Sequence, residues 1–225
     1  MEAPEDTPPR PNASDHAYAI VRAGIGAIPF VGGSASELLN QFIAPSLERR
    51  RDAWLRGLVD RIIQLEEKGL LDFEKLQGNE AFVTAVLQAS RAALMTQDAE
   101  KLEALRNAVL HSALEGDPDE AIQSIYLALV ERLTPAHIVI LRWASQPHRS
   151  SSQDPASLRT ETLGQAVPQF VGRPQLVGAL QRDLDNAGLI EGGTLYEDTH
   201  LAESHRPWAT DLGRGFLAFI SEPEM

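Results

Sequence analysis

At 225 residues the chain is long enough to bury a sizeable core, as one domain or as two small ones. Hydrophobic residues make up 43% and charged residues 23%, an ordinary globular balance, and the formal net charge of -12 is shared by both halves, which excludes a wholly basic nucleic-acid-binding module. There is no cysteine, so disulfides, thiolate zinc sites and cysteine nucleophiles are excluded together.

The chain opens on "MEAPEDTPPRPNASD", acidic and rich in proline. It has neither the basic nor the apolar region of a secretory signal, and residues 1–14 are expected to be a disordered tail on a cytoplasmic protein. Next comes "GIGAIPFVGGSASELL", a glycine-rich apolar stretch followed within a few residues by "LERRR". Three readings compete for it. Phosphate binding needs a preceding strand and a P-loop lysine or a third correctly spaced glycine, and none of these is present. A membrane element suits the apolar Ile25, Ile28, Phe30, Val31, Leu38 and Phe42 ahead of Arg49, Arg50 and Arg51, which would stay with anionic headgroups. Pro29 and Gly32-Gly33 nevertheless keep the uninterrupted apolar run well short of the ~20 residues that a spanning helix requires. Close packing is the preferred reading: the glycines allow tight turns, and the arginines are solvated and paired with Glu48 and Asp52. A conditional membrane contact by residues 23–47 stays open beside it.

Helix punctuation is legible from there on. Ser34 and Glu37 stand at capping-box spacing and start a short helix through Leu38, Leu39, Phe42 and Ile43. Pro45 then suits the first turn of a second helix, with Leu47, Trp54, Leu55, Leu58, Ile62 and Leu65 on one side and an end near Lys68-Gly69. Phe82, Val86, Ala89 and Ala93 mark a further helix, and Leu102, Leu105, Val109 and Ala113 another, which Asp98 would cap. The helix from "DPDE" takes Asp117 as cap and Pro118 as first residue, and repeats Ile122, Ile125, Tyr126, Leu129 and Leu133.

Thr134-Pro135 starts the apolar helix "AHIVILRWA". A loop-like stretch, a helix around Leu158 to Leu163 and a helix from Pro174 with Leu176, Val177, Leu180 and Leu184 follow. Then "GLIEGGTLYED", a polar stretch and "RPWATDLG" supply a strand, turn and strand ahead of a closing helix with Leu212, Phe216, Phe219 and Ile220. The expected fold is therefore mainly α: a helical N-terminal domain over residues 15–133, then a winged-helix-like domain over residues 134–225 with a small β-hairpin.

The stretch "KLEALRNAVLHSALEGDPDEAIQSIYLALVERLTPAHIVILRWAS" resembles the middle of the Abi-alpha (abortive infection alpha) family of bacterial proteins. The resemblance rests on Leu102, Leu105, Leu129, Leu133, Thr134, Pro135, Leu141 and Trp143, with "GLI" from Gly188 and "TDLGRGF" from Thr210 similar to its C-terminal part. It covers about half the chain through core and capping positions. It implies a role in defence against phage, through membrane damage, and carries over no catalytic residue.

No enzyme chemistry is expected. The six histidines are scattered, His137 reads as a satisfied core residue, and His200, His205, Asp198 and Glu203 read as solvated rather than as a metal site. No cofactor or catalytic residue is assigned. The preferred function is a non-enzymatic interaction or effector protein, acting through a protein partner or self-association and a conditional, peripheral membrane contact. The alternative is a winged-helix regulator that contacts nucleic acid through Arg173, Arg182 and Arg206. The charges near its formal recognition helix, Arg173, Arg182, Asp183 and Asp185, cancel, which favours protein contact.

Overall fold

The computed structural model describes residues 36–76, 78–114, 118–146, 168–191 and 208–223. The expectations for residues 1–35, for the Asp117 cap, for the Leu158–Leu163 helix and for the wing between the strands lie outside them. The described chain is mainly helical and divides into two compact units, Met1–Leu127 and Ala128–Met225.

The first unit begins with α1, Ser36–Glu67, one helix in which Pro45 is an interior residue. The expected break at Pro45 is thus absent. An interior proline removes one backbone hydrogen bond and crowds the preceding turn, at about 3 kcal/mol, but the helix beyond it buries Trp54, Leu55, Leu58, Val59, Ile62 and Leu65. Each such side chain contributes about 1.5–3 kcal/mol, which anchors the helix on the C-terminal side of the defect. Its end follows the sequence: Gly69 has φ 70, its N–H donates to Glu66 O and that of Leu70 to Leu65 O, a Schellman closure.

A four-residue helix, α2 (Phe73–Leu76), anticipated by no periodic pattern, leads to α3, Glu80–Leu94. Asn79 caps α3, its Oδ1 accepting from Phe82 N at 2.9 Å. The next helix, α4 (Ala99–Ala113), is capped as expected by Asp98, which accepts from Lys101 N at 3.0 Å. Helix α3 packs along α4, and α1 contacts both. The core between them is not purely apolar. The buried Trp54 indole donates to Ser90 Oγ at 3.0 Å, and the Arg106 guanidinium lies 5.7 Å from the Trp54 ring centre, a cation–π arrangement. Arg106 also pairs with Glu103, which accepts from Arg61 at 3.0 Å. Gly57 makes room for this: a Cβ there would lie 3.1 Å from Arg106 Nε.

Helix α5 spans Glu120–Arg132, and the unit boundary falls within it. Its cap is Asp119, whose Oδ1 accepts from Ile122 N at 3.0 Å. The helix therefore starts two residues later than expected. Tyr126, Leu129 and Leu133 are buried, but Ile125, expected on the same face, is 48% exposed.

In the second unit α6, Pro135–Ser145, buries Ile138, Ile140, Leu141 and Trp143 and packs against α7, Pro174–Asn186, and α8, Asp211–Phe219. A short 3-10 turn at Pro168–Phe170 precedes α7. Two strands of two residues, β1 (Ile190–Glu191) and β2 (Trp208–Ala209), pair antiparallel with Ile190 opposite Ala209. The turn from α7 into β1 uses Gly188 at φ 68. Thr210 ties this turn to α8: its N–H donates to Leu189 O at 3.0 Å, its hydroxyl donates to Gly188 O at 2.7 Å, and its Oγ1 accepts from Gly213 N at 3.0 Å. Gly213 sits so close to β1 that a Cβ there would overlap Leu189 O, at 3.0 Å from the same carbonyl's carbon and 3.3 Å from Leu141 Cδ1. Only hydrogen fits in that space.

Candidate functional site

The outward face of α7 and the turn before it form the candidate site. Pro174 occupies the first turn, where its missing N–H is harmless, and Val177, Leu180, Gln181 and Leu184 are buried beneath. Leu176, expected in the core with them, is instead 41% exposed, and Val171, just ahead of the helix, is 66% exposed. Gly172, between Phe170 and Arg173, has φ 71. Ahead of it Phe170 is buried while its neighbour Val171 is not.

Arg173 is the N-cap residue of α7, is exposed, and makes no side-chain capping bond. Arg182 is also exposed, its Nη1 lying back toward Gly178. Their separation of nine residues corresponds to about two and a half helical turns, which puts them on opposite sides of the helix axis. Arg206 lies outside the described residues. The geometry therefore does not gather Arg173 and Arg182 into one basic face, and Asp183 and Asp185 are exposed on the same helix.

His137 joins α6 to α7. Its Nδ1 accepts from Thr134 N at 3.1 Å and lies 2.8 Å from Thr134 Oγ1, while Nε2 is 3.4 Å from Asp183 Oδ2. A backbone N–H can only donate, so Nδ1 is the acceptor and Nε2 carries the proton toward Asp183. The imidazole is 8% exposed and the Asp183 side chain 63%. This is a satisfied core histidine, as the sequence suggested, and it also caps its own helix, a role beyond that expectation. Its link to Asp183 has no local signature.

The N-terminal candidates fall into two groups. Ile25, Ile28, Phe30 and Val31 lie outside the described residues, and Leu38 and Phe42 lie within α1. The three arginines differ from one another. Arg49 donates to Pro45 O at 3.1 Å and to Ser46 Oγ at 3.3 Å. Arg50 reaches across to Leu94 O at 3.3 Å, at the C-terminus of α3, where a cation is favoured by the helix dipole. Arg51 Nε is buried without a hydrogen-bond partner. Among the described residues none of them pairs with Glu48 or Asp52, so the expected local ion pairs are replaced by bonds to helix carbonyls and a serine hydroxyl.

Among the described residues no helix is long and apolar enough to cross a membrane, and no group of three or more His, Asp or Glu could hold a metal ion. The cluster of Asp198, His200, Glu203 and His205 lies outside them. No family model matches the chain, and neither a curated protein nor a solved structure is similar enough to count as a match.

Proposed function

We propose that the chain is a non-enzymatic interaction or effector protein of the kind the Abi-alpha resemblance implies, used in the cytoplasm in defence against phage. In this reading the C-terminal unit is winged-helix-like, a view supported by two helices, a paired strand ladder and a closing helix in that order. Its outward face serves protein contact rather than DNA. The observation that carries the reading is the surface of α7: apolar Val171 and Leu176 stand exposed at one end, and its two arginines are on opposite sides of a helix that also exposes two aspartates. Covering exposed apolar side chains with a partner is favoured by the area removed from water, whereas DNA contact draws its energy from clustered cations. A conditional membrane contact by residues 23–47 belongs to the same proposal.

The test is plaque formation on a bacterial host expressing the chain. Protection is expected with the parent protein and its loss with Val171→Asp plus Leu176→Asp, with an unchanged circular-dichroism spectrum. Micromolar duplex DNA binding that falls steeply with salt and disappears in Arg173→Ala plus Arg182→Ala would overturn the reading in favour of the nucleic-acid regulator.

A further inference from the structure

We draw no further inference here: the strongest candidate, the Thr134, His137 and Asp183 cluster between the first turn of α6 and α7, carries nothing more because its imidazole nitrogens are taken by Thr134 and Asp183 and its hydroxyl belongs to the cap of α6.

Discussion

Replacing Gly213 by alanine puts a methyl group where the Leu189 carbonyl already is. That carbonyl has little room to retreat, because it accepts the Thr210 N–H at 3.0 Å while the Thr210 hydroxyl holds Gly188 O at 2.7 Å. The methyl also meets Leu141 Cδ1 at 3.3 Å, so α8 must move away from both β1 and α6. Overpacking of this kind costs about 1–3 kcal/mol, and losing the Thr210 to Leu189 bond adds about 1 kcal/mol. Alanine's better helix propensity returns about 1 kcal/mol. The net is a loss of about 2 kcal/mol, or about 4–8 °C in melting temperature for a chain of this size. Gly178→Ala provides the contrast. It lies inside α7, and the nearest atom to its new methyl is Arg182 Nη1 at 3.7 Å, an ordinary contact. It should stabilise by about 0.5–1 kcal/mol through propensity alone. Thermal melts of both variants, with hydrogen exchange at the Thr210 and Gly213 amides, decide the matter. If Gly213→Ala melts at or above the parent, the close approach of α8 to β1 is not a constraint.

Three other outcomes are expected. Asp119→Ala should cost about 1 kcal/mol as a lost N-cap, with Asp119→Asn nearly neutral; chemical denaturation measures both. Ser90→Ala leaves the buried Trp54 N–H without its acceptor and should cost about 1–3 kcal/mol, seen in the same assay together with a change in Trp54 emission. Non-specific duplex DNA should bind poorly at physiological salt, since the exposed arginines of α7 are neutralised by its aspartates; a salt titration by fluorescence anisotropy checks it.

The helices that could be read from the sequence are those whose apolar spacing and cap agree. Asp98 with the Leu102, Leu105 and Val109 repeat marks α4, and Thr134-Pro135 marks α6. At Pro45 the local rule pointed the wrong way, because a proline that suits a helix start can also stand inside a helix, where it removes one backbone hydrogen bond and kinks the helix without having to end it. Asn79, directly before Glu80 and the Phe82 repeat, is a cap signal that the sequence does contain. The exposure of Leu176 and Ile125 had no such signal: periodicity reports a face, and the edge of that face is decided by whichever element packs there. The same holds for Trp54 with Ser90, Arg50 with Leu94 O and His137 with Asp183, each a pairing of residues more than thirty positions apart.

The run Arg49, Arg50, Arg51 looks like one unit of charge, and exchanging all three at once is the usual way to ask what such a unit does. Here that exchange would mix unrelated effects. Arg50 leaves α1 to close the end of α3, so its loss disturbs the fold, and Arg51 has a buried Nε, so its loss changes packing as well as charge. Arg49 is exposed, and its bonds stay within its own helical turn. Charge reversal at Arg49 alone is therefore the separation-of-function change: it alters what an approaching surface meets and leaves the Arg50 bond to α3 and the buried Arg51 in place. A triple exchange that abolished activity would say nothing about charge.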